Sequence, residues 1–317
     1  MSEALREEGF ERPDTAVPPA VRVRVPAKVN LHLGVGARRP DGYHDVQTVY
    51  HAISLYDEVT ARPGDALGLT MEGEGAGRLP MDGTNLVIRA ATALAERAGV
   101  PARVRLHLRK QIPLAAGLAG GSADAAATLV ACETLWRLGW SRDQLAEVAA
   151  DLGADVPFLL YGGTALGTGY GEIISPVLAP GRAWHWVLAL AADGLATPEV
   201  YRELDRQRAS GTAAEPVGPP DAVLAALRQR DPAVLAAALG NDLAPAALAL
   251  RPALGAVLAA GRAAGALAGL ISGSGPTCVF LARDSAHADR VAAELAAAGV
   301  CTAVHTAHGP VPGARVV

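Results

Sequence analysis

The segment from Pro113 to Ala127, PLAAGLAGGSADAAA, places three glycines immediately before a run of alanines. Gly117, Gly120 and Gly121 precede Ser122, where an apolar helical pattern begins. Glycine adopts backbone angles that are closed to other residues, and it lets a ligand approach the main chain. The first N–H groups of a helix lack intrahelical partners and carry partial positive charge. The segment therefore predicts a loop that binds phosphate at a helix N-terminus.

A glycine-rich connection can also be only a tight turn before a helix, so the loop alone does not decide its function. No Gly-Lys-Ser/Thr follows the glycines, which excludes a Walker loop. The spacing also differs from the G-x-G-x-x-G pattern of dinucleotide-binding proteins. The assignment to nucleotide binding therefore depends on other segments of the chain.

Composition narrows the classes of function. The chain has 317 residues, of which 50% are hydrophobic, enough for a large core and about two domains. Its net charge of −4 comes from mixed acids and bases without a basic stripe, so we expect no nucleic-acid partner. The three cysteines are scattered, which favours a reducing compartment and buried thiols.

Targeting signals are not expected. The N-terminus is charged and lacks an apolar stretch, which argues against a signal peptide, and Met1 to Ala20 is predicted to be a flexible leader. The apolar segment from Leu254 to Leu270 is interrupted by Arg262 and indicates a buried helix with a turn rather than a membrane span. We therefore expect a cytoplasmic protein without a membrane partner.

Periodicity predicts alternating helices and strands. Pro26 is expected to end a first strand, Val21 to Val25, with a second strand from Leu31 to Val35. Other predicted strands are Gln47 to Thr60, Leu67 to Met71, Val104 to Leu108, Trp186 to Ala191 and Thr277 to Leu281. One predicted helix follows the caps Thr84 and Asn85 and runs to about Ala98, a second runs from Ser122 to about Leu138, and a third follows the cap Ser141 and runs to about Leu152. Several more helices are predicted over Asp221 to Ala264. Proline and glycine near Pro180 predict a boundary between a first domain, 21–180, and a second, 181–317.

Two segments of the first half carry candidate site residues. PAKVNLHLGV contains Lys28 and Asn30, and RRPDGYHDVQT contains Tyr43 and His44 after a turn. A lysine at a strand end is commonly solvated, and a tyrosine beside a histidine is commonly packed. The functional alternative is that the aromatic residue and the histidine stack on and hydrogen-bond to a planar base.

Two later segments complete the pattern. Asp155, in LGADVPF, is either a turn aspartate or a carboxylate directed at a substrate hydroxyl group. ISGSGPTCVFLA places Gly273 and Gly275 around Ser274 between two apolar strands. That turn is either a simple connection or a second glycine turn that closes over the phosphate site.

In combination and in this order, the segments PAKVNL, RPDGYH, GLAGGSADAA, LGADVPF and SGSGPT resemble the GHMP kinases, the family of galactokinase, homoserine kinase and mevalonate kinase. The resemblance covers nearly the whole chain after the leader. It implies a two-domain α+β fold, with a first domain like one in a ribosomal small-subunit protein and a ferredoxin-like second domain. PAKVNL with RPDGYH is similar to the members that act on a cytidyl substrate.

The resemblance also implies an activity. It is ATP-dependent phosphorylation of the 2-hydroxyl group of 4-diphosphocytidyl-2-C-methyl-D-erythritol, in non-mevalonate isoprenoid biosynthesis, with ATP and Mg²⁺ as cofactors and a monomer or homodimer as the active form. Two alternatives stay open: another GHMP kinase for homoserine, mevalonate or a sugar, and a non-catalytic nucleotide-binding regulator.

Roles follow from the resemblance where the segments match. Lys28 and Asp155 fall at catalytic positions, and the implied substrate-binding residues are Asn30, Tyr43, His44, Thr197 and Tyr201. The implied ATP-binding residues are Pro113, Leu114, Ala115, Ala116, Gly117, Leu118, Ala119, Gly120, Gly121, Ser122 and Ala123 of the loop, with Asn85, Leu86 and Lys110.

The loop departs from the family pattern at Ala115, Ala116 and Ala119, where other members often have glycine. Alanine keeps the N–H donor but does not readily adopt positive φ. Because Gly117, Gly120 and Gly121 remain, we expect the loop to keep its phosphate-binding shape.

Overall fold

The computed structural model of the protein describes residues 20–178, 182–191 and 194–317. Apart from Ala20, the predicted leader lies outside these residues, as does Pro180 at the predicted domain boundary. The strands are β1 (Val21–Arg38), β2 (His44–Pro63), β3 (Gly68–Gly73), β4 (Val104–Lys110), β5 (Thr164–Thr168), β6 (Ile173–Pro176), β7 (Trp184–Leu190), β8 (Gly240–Asn241), β9 (Ala268–Ile271), β10 (Cys278–Ala282), β11 (Ala303–Gly309) and β12 (Arg315–Val316). The helices are α1 (Leu86–Ala98), α2 (Gly120–Trp136), α3 (Arg142–Leu152), α4 (Val156–Tyr161), α5 (Thr197–Ala209), α6 (Asp221–Gln229), α7 (Pro232–Ala238), α8 (Ala244–Leu250), α9 (Ala253–Ala263) and α10 (Ser285–Ala298).

The first sheet is built around the long antiparallel pair of β1 and β2. Its order is β12-β1-β2-β4-β3, with β5 and β6 continuing from the first half of β2 and β8 parallel to β1. The strands β8 and β12 come from the second half of the chain and complete a sheet that the first half begins. The two predicted domains, 21–180 and 181–317, therefore share this sheet. The boundary between them stays a prediction.

The prediction that Pro26 ends a strand is wrong, because β1 continues through it. The pairing of β1 with β2 shifts register between Pro26 and Ala27. A proline cannot donate to the ladder, and an irregularity in register is one way for a strand to accommodate it. The strand therefore reaches Lys28 and Asn30 without a break.

Helix α2 is the central helix of the first core. It is buried nearly all round from Ala123 to Cys132 and packs against the first sheet and α1. Alanines are required here because small side chains let a helix approach its neighbours from several sides. Sequence reasoning placed this helix from Ser122 to Leu138, and the structure begins and ends it two residues earlier.

The helices that flank α2 have the predicted caps. Asn85 accepts from the Val87 N–H at the start of α1, and Gly99 ends that helix in the left-handed conformation. Ser141 and Gln144 form a capping box at the start of α3. These caps fix the helix starts that the sequence predicted.

The second sheet has the order β11-β7-β10-β9 and is antiparallel throughout. Val187 and Phe280 belong to a core with residues of α9 and α10, whereas Trp186 and Leu281 belong to the core of the first sheet. The second sheet therefore packs against both hydrophobic cores. The predicted helical region from Asp221 to Ala264 is four helices interrupted by β8.

In the described residues, no single helix is long and apolar enough to cross a membrane; α8 and α9 pass that test only together, and they are bent by 119°. The segment from Leu254 to Leu270 is a helix, a turn and a strand, as its pattern predicted. Cys132 and Cys278 are buried and Cys301 is half-buried, and all three are free thiols.

Candidate active site

A cavity of about 740 Å³ lies where the two halves of the chain meet. It is lined from the first half by β1, the turn before β2, the glycine loop and the start of α4, and from the second half by α5 and the turn after β9. The sequence-predicted residues that line it are Lys28, Asn30, Tyr43, His44, Ala115, Ala116, Gly117, Ala119, Gly120, Gly121, Ser122, Asp155, Thr197 and Tyr201. Folding therefore brings together residues as far apart in sequence as Lys28 and Gly275.

The glycine loop adopts left-handed backbone angles at alternate positions. Gly117 has φ of 74°, and Ala115 and Ala119 have φ of 49° and 58°. Alanine does not readily adopt this conformation, yet two of the three loop alanines have it. Because the left-handed region costs an alanine about 1–2 kcal/mol, the surrounding contacts must hold the loop in this shape.

The start of α2 presents free donors to the cavity. The first intrahelical bond runs from the Ala123 N–H to the Ala119 carbonyl oxygen, so the N–H groups of Gly120, Gly121 and Ser122 precede it. All three residues line the cavity. These amides and the positive end of the helix suit an anion such as phosphate.

The turn from Ser272 to Pro276 packs directly on this loop. The Ser272 hydroxyl donates to the Gly117 carbonyl oxygen at 3.0 Å, and the Thr277 N–H donates to the Ala116 carbonyl oxygen at 3.4 Å. A Cβ on Gly117 would collide with the carbonyl oxygen of Ser272, so both φ and space require glycine at this position. The second half thus helps to shape the phosphate loop.

Lys28 and Asp155 form an ion pair at the cavity, with Nζ and Oδ2 3.4 Å apart. The Lys28 side chain is 6% exposed, whereas Asp155, at the start of α4, is 28% exposed. Lys28 Nζ also donates to Asn30 Oδ1 at 2.8 Å, and Asn30 Nδ2 donates to the Thr48 hydroxyl at 2.8 Å. The lysine is therefore held by a hydrogen-bonded chain, while the carboxylate keeps access to the cavity.

The Asp155 carboxylate affects the pKa of two tyrosines that line the cavity. Burial and the nearby Asp155 carboxylate raise the pKa of Tyr50 well above its ordinary value. The same two causes raise the pKa of Tyr201 to about 12. Both phenols therefore stay neutral at neutral pH and can donate hydrogen bonds.

An aromatic cluster lines the end of the cavity near the turn between β1 and β2. Tyr43 is 66% exposed and meets Tyr170 edge to face, with ring centroids 5.4 Å apart. His44 is buried against Tyr201, with centroids 5.1 Å apart, and its Nε2 lies 2.8 Å from Asp205 Oδ1. Exposed and buried aromatic faces at one site are suited to holding a flat ring.

Comparison with known proteins identifies the family. The model for the GHMP kinases N terminal domain matches residues 85–163, and the model for the GHMP kinases C terminal domain matches residues 223–301. The chain is 68% identical to a 4-diphosphocytidyl-2-C-methyl-D-erythritol kinase of Salinispora arenicola, over 100% of both chains. The protein belongs to the GHMP kinase family. It is therefore a member of a family of small-molecule kinases that use ATP as the phosphate donor.

Other GHMP kinases agree with this assignment. An enzyme of Streptomyces coelicolor with the same printed name is 56% identical over 94% of this chain and 99% of that one. A crystal structure of 4-(cytidine 5'-diphospho)-2C-methyl-D-erythritol kinase has a TM-score of 0.74 at 36% identity, over 90% of this chain and 98% of that one. A homoserine kinase from Cytophaga hutchinsonii has a TM-score of 0.76 at 20% identity, over 97% and 100%, which shows the shared fold alone.

Some residues that the GHMP kinase resemblance implied lie outside the cavity lining. They are Asn85, Leu86, Lys110, Pro113, Leu114, Leu118 and Ala123. Asn85 caps α1, and Leu118 and Ala123 are fully buried. Their contact with nucleotide stays a prediction.

Lys110, one of these residues, is buried between two aspartates. Its Nζ donates to Asp57 Oδ2 at 2.6 Å and to Asp124 Oδ2 at 2.7 Å, and its side chain is 1% exposed. Burial opposes the charge of this lysine, but the two carboxylates outweigh it and raise the pKa of Lys110. A Cβ on Gly120 would come 3.1 Å from Nζ, so the ammonium lies behind the start of α2, on the core side.

Sequence reasoning missed several residues of the site. Thr48 holds Asn30, Asp205 holds His44, Tyr170 faces Tyr43, and Ser274 shares a 2.8 Å hydrogen bond with Thr197. Thr48 and Ser274 lay within quoted segments, RRPDGYHDVQT and ISGSGPTCVFLA, but neither was named as a site residue. Asp205 and Tyr170 lie in a helix and a hairpin turn, where a single sequence carries no signal for them.

Proposed function

We propose that the protein transfers the γ-phosphoryl group of ATP to the 2-hydroxyl group of 4-diphosphocytidyl-2-C-methyl-D-erythritol. The observation that carries the proposal is the Lys28–Asp155 pair, which lies in one cavity with the start of α2 and the aromatic cluster. One end of that cavity suits a triphosphate and the other suits a flat base. The names of the relatives at 56–68% identity support the same substrate.

Asp155 would act as the general base. Its carboxylate is accessible from the cavity and would accept the proton of the attacking 2-hydroxyl group. A positioned general base typically contributes a factor of ~10²–10⁴ in rate. Lys28, held by Asn30, would orient this carboxylate and offset negative charge on the phosphoryl group in transit.

The glycine loop would hold the donor. The amides of Gly120, Gly121 and Ser122 would bind phosphate oxygens at the positive end of α2. Phosphoryl transfer needs positioning and charge stabilisation more than covalent help, which this arrangement supplies.

The donor set of the cavity fits Mg²⁺, because the Ser122 hydroxyl and the Asp155 carboxylate are oxygen ligands. The described residues contain no group of three or more metal-binding side chains. Magnesium in kinases is commonly held by one or two protein oxygens together with substrate phosphates and water. When bound, it would neutralise charge on the phosphates, and the Ser122 hydroxyl is a side chain that would hold it.

Tyr43 and Tyr201 would hold the cytosine ring, and Thr197 would lie near the substrate phosphates. Stacking is worth ~1–3 kcal/mol per base and tolerates any base. Discrimination between bases therefore falls to hydrogen bonds, for which His44 is the buried polar candidate.

The decisive experiment is ATP consumption with 4-diphosphocytidyl-2-C-methyl-D-erythritol, homoserine, mevalonate and galactose as separate acceptors. We expect ADP formation with the cytidyl acceptor at least a hundredfold faster than with the others. Comparable turnover of homoserine or mevalonate would refute the substrate assignment. ATP binding without turnover of any alcohol would favour the regulator.

The proposal includes a cytoplasmic location and a monomer or homodimer. Free thiols at Cys132, Cys278 and Cys301 suit a reducing compartment. Cell fractionation with an antibody and light scattering of the purified protein test these two points.

A further inference from the structure

We propose that Asn241 is a positioning residue for phosphoryl transfer, which holds the turn from Ser272 to Pro276 against the glycine loop and Lys28. This inference rests on the proposed function, because the transfer is the reaction that the turn would affect. Asn241 lies in β8, outside every segment that carried a predicted site residue.

The first step is the set of hydrogen bonds that the Asn241 side chain makes. Its Nδ2 donates to the carbonyl oxygens of Ile271 and Gly273, at 2.8 and 2.7 Å. Its Oδ1 accepts from the Leu243 N–H at 2.8 Å. A carbonyl oxygen only accepts and an N–H only donates, so these partners fix which end of the amide faces the turn. The side chain is buried, so breaking any of these bonds would leave an unpaired polar group.

The second step is the connection between Asn241 and the strand that carries the lysine. The short strand β8 pairs in parallel with β1, and Asn241 lies opposite Leu33. The Asp242 N–H donates to the Leu33 carbonyl oxygen at 2.9 Å. Leu33 lies on the same strand as Lys28. Through Asn241, the turn is therefore anchored to the strand that carries Lys28.

The third step is what the turn contacts at the cavity. Gly273 has φ of 55°, and a Cβ there would come 3.5 Å from Lys28 Nζ and 3.2 Å from Asn30 Oδ1. The neighbouring Ser272 hydroxyl donates to the Gly117 carbonyl oxygen at 3.0 Å. A displacement of the Gly273 carbonyl group would therefore change the surroundings of both Lys28 and the glycine loop.

The fourth step is the sensitivity of the transfer to position. Phosphoryl transfer depends on the alignment of donor, acceptor and charged groups rather than on a covalent step with the protein. A misplacement of about 1 Å can cost a factor of ~10² in rate, even when it starts far from the reacting atoms. Asn241 would thus act on the reaction through the glycine loop and Lys28, without touching substrate.

The base end of the cavity has a separate anchor. Helix α5, which carries Tyr201, is tied to the end of β1 by Arg208, whose guanidinium donates to the carbonyl oxygens of Val35 and Gly36. Loss of the Asn241 contacts should therefore affect the phosphate end of the cavity much more than the base end.

The test compares ATP titration calorimetry and steady-state kinetics of the full chain in wild type, Asn241→Ala and a matched control, Asp242→Ala. Asp242 is also buried, and its carboxylate oxygens accept from the Val35 and Val217 N–H groups, so its loss loosens the same segment at contacts that do not involve the turn. We expect Asn241→Ala to lower kcat about a hundredfold and ATP affinity about tenfold, with little change in KM for the cytidyl substrate. Asp242→Ala should lower Tm but leave kcat and ATP affinity near the wild-type values.

A second variant separates hydrogen bonding from side-chain size. Asn241→Asp keeps the shape and the acceptor for the Leu243 N–H, but it replaces the donor with an oxygen that faces two carbonyl oxygens. We expect it to lower kcat and ATP affinity as Asn241→Ala does. Wild-type kcat in either Asn241 variant, or an equal loss of kcat in Asp242→Ala, would overturn the proposal. Failure of both Asn241 variants to fold while Asp242→Ala folds would also overturn it, because Asn241 would then act in folding alone.

ATP titration separates this proposal from the reaction on which it rests. No turnover of the cytidyl acceptor by wild type, together with an ATP affinity that falls in Asn241→Ala but not in Asp242→Ala, would refute the reaction and support the role of Asn241 in shaping the phosphate end. Turnover by wild type that both Asn241 variants retain in full would overturn that role and leave the reaction standing.

Discussion

Lys28 and Lys110 are two buried lysines of the first sheet, and each pairs with aspartate. Lys28 faces Asp155, whose side chain is 28% exposed at the cavity, whereas Lys110 lies between Asp57 and Asp124, which are 0% and 5% exposed. The resemblance to the family attached a functional role to both. The comparison shows that, of these two groups, only the Lys28 pair has a carboxylate open to the cavity.

The Lys110 group connects separate elements of the first half of the chain. Asp57 Oδ1 also accepts from the N–H groups of Gln111 and Ile112, which lead into the glycine loop. The Asp124 side chain is 5% exposed, and this burial raises the pKa of its carboxyl group well above its ordinary value, against the opposing effect of Lys110. Asp57, Lys110 and Asp124 thus tie β2, the end of β4 and the first turn of α2 beneath the loop.

The largest effect is expected from a substitution in the Lys28–Asp155 pair. Asp155→Asn removes the base but keeps the shape, so kcat should fall by ~10²–10⁴ with little change in ATP affinity. Steady-state kinetics and ATP titration check this. Near-normal turnover would remove Asp155 from the role of base and erase the distinction between the two lysine sites.

The next prediction concerns the buried group of Asp57, Lys110 and Asp124. Lys110→Met leaves two buried carboxylates without their cation and should lower the free energy of unfolding by about 3–5 kcal/mol. Lys28→Met is the matched variant, and it should lose activity but less stability, because water in the cavity can reach Asp155. Urea unfolding followed by fluorescence measures both, and equal stability losses would break the comparison.

A smaller effect is expected at the base end of the cavity. Tyr43→Ala removes an exposed ring that touches Tyr170, so folding should be unaffected. KM for the cytidyl substrate should rise about 5- to 150-fold, as expected for the loss of ~1–3 kcal/mol of stacking, while KM for ATP stays nearly constant. Equal changes in both constants would argue against stacking on the base.

The smallest effect concerns the loop that passes between the two lysines. Leu118 accepts from the Lys28 N–H, and Gly120 lies against Lys110. Ala119→Gly relieves the positive φ at that position and should stabilise the protein by about 0.5–1 kcal/mol. Ala116→Gly in the same loop, where φ is not positive, should destabilise it by a similar amount, and thermal unfolding compares the two.

Much of the fold was predictable because its signals are local. The caps at Asn85 and Ser141 and the glycine at 99 fixed helix ends, and alternation identified β4. The register shift at Pro26 was not predictable, because it depends on pairing with β2. Short strands such as β8 exist only because β1 offers an edge to them.

The candidate site was predictable where the chain carries the segments that resemble the GHMP kinases. Those segments supplied Lys28, Asp155 and the loop glycines, all of which line the cavity. The burial of Lys110 was not predictable, because it depends on Asp57 and Asp124, which come from distant segments. Asp205 was missed for the same reason, since only the folded chain brings α5 to His44.

The contact between Gly117 and the Ser272 turn limits how the halves of this chain can be recombined with those of relatives. A chimaera that joins this first half to a foreign second half inherits a loop whose curvature depends on an oxygen and a hydroxyl from the other side. Even a small change in the contact between Gly117 and the Ser272 turn would alter the shape of the proposed phosphate-binding loop, although each half kept its own core. We therefore expect the residues of the glycine loop and of the Ser272 turn to change together in evolution, while residues on the outer surfaces change independently.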